Sequence, residues 1–292
     1  MPRIDSLNNF FANGETLDVL RLDLPDPLAG GNKTYKLKYN LEEMRRLGLA
    51  QLLTFGGAFS NHIAAVAFAG MKSGLETIGI IRGEELNESS NEVLKFAATC
   101  GMQLVFVSRE EYRQRNDKVF CEKLVEKFGP AYLLPEGGSN AFAVKGCKEI
   151  LSEQTEKYDV IVCPVGTGAT LAGLIAGAKQ QQEIIGVAVL SGKDYLENEV
   201  QQLLANENHV AKWSINHDFT FGGYGKSSKE LDDFMLEMKR NYSLPLDAIY
   251  SAKTLYAIRE MKKGTAGSKQ FLFIHTGGYA FNGLSRVHDL LT

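Results

Sequence analysis

Gly30-Gly31-Asn32-Lys33-Thr34-Tyr35-Lys36 sets a lysine directly behind a flexible glycine pair and at the mouth of a helix. Leu37, Leu41 and Met44 recur at helical spacing, Glu42, Glu43, Arg45 and Arg46 fill the other face, and Gly48 supplies a stop. Lys33 therefore falls in or just before the first turn, where exposed backbone N–H groups and the helix dipole disfavour a positive charge and lower an amine's pKa. An amine so placed is primed as a nucleophile. Lys36, three residues on, can face the same way and keep its charge for an anion. On its own, GGNK would read more simply as a glycine turn before a basic helix start, and it is the rest of the chain that changes the balance.

Upstream, Leu17 to Leu24 alternates as a strand would, until Pro25 and Pro27 break it. Downstream, Gln51 to Phe55 reads as a short apolar strand followed by Gly56-Gly57-Ala58-Phe59-Ser60-Asn61-His62 and a helix on Ile63, Val66, Ala67, Gly70 and Met71. The unit recurs with Thr77 to Arg82 as strand, Ser90 as N-cap and Val93 to Thr99 as helix. Met102 to Ser108 is a further strand, Phe120, Leu124 and Phe128 mark a helix, and Tyr132 to Leu134 runs into Pro135-Glu136-Gly137-Gly138-Ser139-Asn140, with a helix on Val144, Ile150 and Leu151. The second half repeats the rhythm: strand at Asp159 to Cys163, glycine-rich turn at Gly166-Thr167-Gly168-Ala169-Thr170, helix at Leu171 to Lys179 and strand at Ile184 to Leu190. Helical patterns follow at Glu197 to Leu204, Lys229 to Arg240 and Thr254 to Met261, and the strand Gln270 to His275 feeds Thr276-Gly277-Gly278. Strands alternating with helices predict an α/β protein with parallel sheets, whose buried strands are near-continuous apolar runs.

Glycine-rich turns after strands matter because open parallel sheets bind ligands at the carboxyl ends of their strands. In Val165 to Gly173 the glycines allow close backbone approach, Thr167 and Thr170 add hydroxyls, and the next helix N-terminus favours a phosphate. The segment is neither a GK[ST] loop nor GxGxxG, so a tight structural turn stays open beside a phosphate cradle. Ser60-Asn61-His62 likewise opens a helix and can hold a carboxylate, although an N-cap alone would explain Ser60 or Asn61.

With 292 residues, 44% of them apolar and 23% charged, the chain can bury a large core in one large or two closely joined domains. A formal charge of −3 shows no bias towards nucleic acid or an anionic membrane, which points to small-molecule chemistry. Cys100, Cys121, Cys147 and Cys163 are scattered without metal-site spacing and read as reduced, mostly buried thiols, with no metal expected. Met1 to Phe11 lacks a basic region followed by an apolar run, and no apolar run reaches membrane-spanning length, so the expectation is a cytoplasmic protein.

Taken together, GGNKTYKLKYN, GGAFSNH, VGTGATLAG and IHTGG resemble, in order and spacing, the pyridoxal-phosphate enzymes of the tryptophan-synthase β type (fold type II). More narrowly they are similar to the 1-aminocyclopropane-1-carboxylate deaminase and D-cysteine desulfhydrase family, over roughly Asp23 to Gly283. The resemblance implies a two-domain α/β fold of open, mostly parallel sheets with helices on both faces. Residues 1–48 plus 147–292 would form the larger domain and 49–146 the smaller, with pyridoxal 5′-phosphate in the cleft between them and a homodimer as the assembly. It implies that Lys33 forms the covalent link to the cofactor. Lys36 with Gly166, Thr167, Gly168, Ala169 and Thr170 would hold the phosphate, and Asn61 would meet the ring hydroxyl. Ser60, Asn61 and His62 would lie beside the substrate, with Ser60, Tyr224 and Tyr250 as proton donors or acceptors. His62 is expected to line the pocket or to hydrogen-bond, since the lysine already fills the role of base.

The chemistry suits these residue types. A lysine that is displaced by an incoming amine and then works as a base needs a tunable pKa, and Lys33 meets that need. The departures from the family pattern point to one branch. Ser251 stands where the deaminases carry a glutamate near the pyridine nitrogen, and Thr276 in IHTGG matches the desulfhydrase side. Tyr35 replaces an arginine, and Ala248 and Ala252 replace Pro and Gly. A neutral hydroxyl holds a ring proton less well than a carboxylate, which suits β-elimination from a small amino acid, D-cysteine above all, better than opening a cyclopropane ring. The deaminase remains the alternative, with a dehydratase or racemase on the same scaffold and a non-catalytic nucleotide-binding α/β module behind it.

Overall fold

Strands that are apolar at consecutive positions can be covered on both faces, and the structure, a computed structural model describing residues 2–25, 30–190, 195–223, 225–263 and 269–278, covers them with helices. In chain order the elements are β1 (Arg3–Leu7), β2 (Leu17–Arg21), α1 (Asn32–Arg46), β3 (Gln51–Gly57), α2 (Asn61–Ser73), β4 (Glu76–Arg82), α3 (Glu92–Thr99), β5 (Gln103–Val107), α4 (Arg109–Arg113) and α5 (Lys118–Phe128). There follow β6 (Tyr132–Leu134), α6 (Ala141–Lys148), β7 (Val160–Val165), α7 (Ala169–Gly177), β8 (Glu183–Ala188), α8 (Tyr195–Leu204), β9 (Lys212–Asn216), α9 (Lys229–Tyr242), α10 (Ser251–Lys263) and β10 (Phe271–His275).

Two sheets result. The larger runs β1-β2-β10-β7-β8-β9 and the smaller β5-β4-β3-β6. Every pairing is parallel except that of β1 with β2 at one edge. The two-residue strand period divides the core: Val160 and Val162 point to one face of the larger sheet, Ile161, Cys163 and Val165 to the other. Helices α6, α7 and α8 cover one face and α9 and α10 the other. In the smaller sheet Leu53 and Phe55 face Tyr112 and Leu124, while Leu52 packs with α2 and α3. The expected open, mostly parallel α/β architecture with helices on both faces is what the chain adopts. Cys100, Cys147 and Cys163 are buried free thiols and Cys121 is half-buried. Among the described residues no helix is long and apolar enough to cross a membrane.

Several local expectations need correction. The N-cap of α3 is Asn91, whose side chain accepts from the Leu94 amide, because the Ser90 hydroxyl instead receives the amide of Asn87 within the preceding turn. Helix α6 stops at Lys148, so Ile150 and Leu151 pack from beyond its end. Strands β1 and β9 and the short α4 were not anticipated. The two strands are sheet edges with half-exposed patterns, and α4 is five residues held by a capping box between Ser108 and Glu111.

Helix α1 joins the two cores. Leu37 and Met44 belong to the core of the smaller sheet, while Tyr35 packs against that of the larger. It also lies flat on α6. A β carbon on Gly146 would sit 1.9 Å from the Tyr35 carbonyl oxygen, so backbone meets backbone there with no side chain between. Gly146→Ala should therefore overpack the α1–α6 seam and destabilise the protein by about 1–3 kcal/mol, read as a lowered denaturant midpoint; an unchanged midpoint would show that the seam can open without cost.

Candidate active site

The carboxyl ends of β3, β4, β6, β7 and β10 converge on one cavity of about 500 Å³ between the two sheets. Lys33, Lys36, Ser60, Asn61, His62, Gly166, Thr167, Gly168, Thr170, Tyr250 and Thr276, expected from sequence to share a site, all line it. Ala169 places its methyl in the core behind the turn, so only its backbone can serve the cavity. Tyr224 lies outside the described residues. Ser251 does not reach the cavity: it is fully buried, and its hydroxyl donates to Asp247 Oδ2 at 2.6 Å and receives the Asp247 amide at 2.7 Å. Neighbours on a helix do not share a face, so Ser251 turns away from the wall that Tyr250 lines.

Lys33 is delivered by the docking of α1 onto the ends of β2 and β10. The Leu22 amide donates to the His275 carbonyl, Gly31 N–H to Leu22 O at 3.0 Å, and Asn32 N–H to Thr276 O at 3.2 Å. Gly31 has φ 73°, and a β carbon there would lie 1.9 Å from Thr276 O, so this N-cap must be glycine. Asn32, whose role the sequence reading left unassigned, spends its side chain at both ends. Its Nδ2 donates to Thr170 Oγ1 at 2.8 Å, and its Oδ1 accepts from Lys33 Nζ at 2.9 Å.

The Lys33 amine has a pKa lowered from 10.5 to about 7. Burial is the main cause and the neighbouring Lys36 ammonium the second, so it is the surroundings in the folded protein, more than the helix end, that make the amine available. Lys33 itself is half-buried, whereas Lys36 is buried, with its pKa lowered by burial; its Nζ donates to the Gly137 carbonyl at 3.0 Å and lies 3.4 Å from Thr167 Oγ1. Ser139, another residue not foreseen, ties this turn to the next: its hydroxyl lies 2.7 Å from Thr167 O and 3.0 Å from Thr167 Oγ1.

Helix α7 is N-capped by Gly168, φ 84°, with no side chain capping its first amides, and it starts beside the Lys36 ammonium. Free helix-start amides, two threonine hydroxyls and a cation together form a donor set for a phosphate monoester. A reactive amine stands on the same wall. These residues fit pyridoxal phosphate: Lys36 and residues 166–170 suit its phosphate and Lys33 its aldehyde carbon.

Ser60 caps α2, accepting the Ile63 amide at 3.4 Å, and stays part-exposed to the cavity. His62 is buried; its Nε2 lies 2.8 Å from Thr54 Oγ1, and that hydroxyl gives its single hydrogen to Leu134 O at 2.9 Å. The ring therefore donates from Nε2, leaving Nδ1 as a buried lone pair without a partner among the described residues. Burial, then Lys33 and Lys36, push its pKa well below the usual imidazole value, which keeps it neutral. Charged groups in the wall, Asp23, Glu136 and Arg82 among them, were also not foreseen. Asp23 is buried and takes both Nε and Nη2 of Arg21, at 2.8 and 2.7 Å. Glu136 accepts from Arg115 and Tyr112, and the exposed Arg82 extends over Gly57 towards the Tyr112 ring. No local spacing marks them, because each comes from a separate strand end.

Only a neutral amine attacks an electrophile. The labelling rate of Lys33 by trinitrobenzenesulfonate, followed by peptide mass spectrometry, should rise through a midpoint near pH 7. Lys36→Met removes the second cause of the shift and should move that midpoint upward, though not back to 10.5 since burial remains; a midpoint unmoved by the substitution would leave burial as the whole cause.

The sequence model of the family described as pyridoxal-phosphate dependent enzyme matches residues 19–277. A putative 1-aminocyclopropane-1-carboxylate deaminase of Thermotoga maritima is 32% identical over 283 residues, covering 91% of this chain and 89% of that protein. A bifunctional D-cysteine desulfhydrase/1-aminocyclopropane-1-carboxylate deaminase of Arabidopsis thaliana, mitochondrial, is 29% identical, covering 91% and 73%. Among solved structures, an ACC deaminase homologue superposes with a TM-score of 0.82 at 26% identity, over 99% of this chain and 93% of that one. The chain belongs to the pyridoxal-phosphate-dependent enzymes.

Proposed function

We propose that this enzyme acts on a small amino acid by β-elimination, of the kind that converts D-cysteine into pyruvate, ammonia and sulfide. The observation that carries the reading is the state of the acids near the inner wall. Asp23 is neutralised by Arg21, and Asp247 is taken up by the amides of Ile249, Tyr250 and Ser251 and by the Ser251 hydroxyl. Thr276 remains as the neutral polar side chain that the β10 turn presents to the cavity. Family membership sets aside a non-catalytic nucleotide-binding module.

When bound, pyridoxal phosphate supplies the conjugated ring that accepts the electron pair released at the substrate's α carbon. Lys36, with the amides and hydroxyls of residues 166–170, would hold the phosphate, and Asn61 would meet the ring hydroxyl. Lys33 would hold the cofactor covalently, and its amine, with a pKa lowered to about 7, is suited to take the substrate's α proton. Ser60, Asn61 and His62, at the start of α2, receive the substrate carboxylate on helix-start amides and the Ser60 hydroxyl. Tyr250 stands across the cavity, its ring 3.4 Å from where a Gly166 side chain would begin, and moves protons to or from the leaving group, with Tyr224 as its expected companion. A hydroxyl such as that of Thr276 holds a ring proton less well than a carboxylate, and a thiolate leaving from the β carbon asks less of the ring than a cyclopropane does. The name of the Arabidopsis relative includes this reaction. The Thermotoga relative's name favours the second reading, hydrolytic ring opening to 2-oxobutanoate and ammonia. A cytoplasmic homodimer completes the proposal.

The deciding measurement is a visible absorbance spectrum of protein reconstituted with pyridoxal phosphate, with keto acid assayed in the same tube. D-cysteine should be turned over at least roughly tenfold faster than the cyclopropane substrate. Lys33→Ala should lose the wild-type band and about 10³-fold or more in rate. Equal or faster release of 2-oxobutanoate from the cyclopropane would reverse the two readings, and a wild type with no band and no keto acid would end both.

A further inference from the structure

His275, the last residue of β10, is fully buried and holds two hydrogen bonds that fix its chemical form. Its Nε2 lies 2.8 Å from the Pro245 carbonyl oxygen, which can only accept, so Nε2 carries the hydrogen. The Gly277 amide donates to Nδ1 at 3.2 Å, so Nδ1 carries none. The ring is therefore the neutral Nε2–H tautomer. Asp23 Oδ1 lies 3.6 Å from Nδ1, but that carboxylate is already claimed by two Arg21 N–H groups.

The amide held by Nδ1 belongs to the turn that carries Thr276, and the Thr276 carbonyl receives the amide of Asn32 at the start of α1. Gly277 and Gly31 touch backbone to backbone, with the Gly31 α carbon 3.1 Å from where a Gly277 side chain would begin. A shift of this turn therefore moves Thr276 and the helix start bearing Lys33 together.

We propose that His275 is a positioning residue that works through this tautomer. The Nδ1 lone pair pins the Gly277 amide, and so sets where Thr276 stands in the cavity and where α1 delivers Lys33. The inference rests on the reading of the cavity as the cofactor site. It assigns a task to the histidine of IHTGG, which does not line the cavity.

Asparagine and glutamine separate the ring's two roles. The substitution His275→Asn puts a side-chain oxygen near the position of Nδ1, and His275→Gln puts an amide N–H near that of Nε2. His275→Asn should keep the visible band of the reconstituted enzyme and kcat within about threefold. His275→Gln should lower kcat by roughly 10²-fold, as a misplacement of about 1 Å does, shift the pH midpoint of the visible band, and change KM little. Equal losses in the two variants, or the reverse order, would overturn the proposal. Because both variants could fold poorly, long-range ¹H–¹⁵N NMR of histidine-labelled wild type at pH 8 tests the premise without substitution. An Nε2–H ring supports it, and an Nδ1–H ring or an imidazolium overturns it. A wild type that shows the Nε2–H ring but no visible band with pyridoxal phosphate would instead overturn the cofactor reading beneath.

Discussion

The Asn32 amide donating to the Thr276 carbonyl joins the first helix of the chain to the last described strand, and the cavity exists because of it. A helix start has amides without internal partners. Here one of them is satisfied by a strand-end carbonyl, which brings α1 against the carboxyl ends of β2 and β10. Glycine at position 31 is the condition, since any β carbon would collide with that carbonyl. Everything asked of Lys33 follows from the junction: its depth, its contact with Asn32 and its distance in the chain from the turn it faces.

A buried lysine and a half-buried one on the same wall would normally be avoided, because each loses hydration and each repels the other. The protein resolves the conflict unequally. Lys36 receives a carbonyl and a hydroxyl and stands at an uncapped helix start, an arrangement completed by a dianion. Lys33 receives a single amide oxygen, and its pKa is lowered to about 7. The same low-polarity surroundings keep His62 neutral, so the cavity holds one ready amine and one unprotonated imidazole at neutral pH.

The apolar runs of β3, β7 and β10 and the glycine turns behind them were legible because a buried parallel strand must be apolar throughout and its turn must be tight. That Lys33, Lys36, Asn61 and the 166–170 turn meet at one cavity could likewise be expected, since each lies in a local motif. Edge strands β1 and β9 carry no such constraint on their outer sides. Asp23, Arg82 and Ser139 escaped notice because strand order, which local spacing does not encode, is what brings them to the cavity. Ser251 shows the limit of reading by adjacency: its neighbour Tyr250 lines the wall, but one further step around the helix carries the hydroxyl to Asp247. The cause of the Lys33 shift was misjudged similarly, because burial is a property of the assembled cavity and the helix end is visible locally.

The strand order of the larger sheet also bears on how the chain comes to be folded. Strands β3 to β6 occupy one unbroken stretch, so the smaller sheet can close as soon as residue 134 is available. Strand β10 lies between β2 and β7, and neither of those can complete its pairing until residues 271–275 arrive. During synthesis the early hairpin of β1 and β2 therefore presents an open edge for about 250 residues' worth of elongation, a wait of some tens of seconds at ordinary ribosomal rates. The chain has a period in which one half is built and the other is a template awaiting its central strand, and the amine at position 33 reaches its buried setting only when that strand seats.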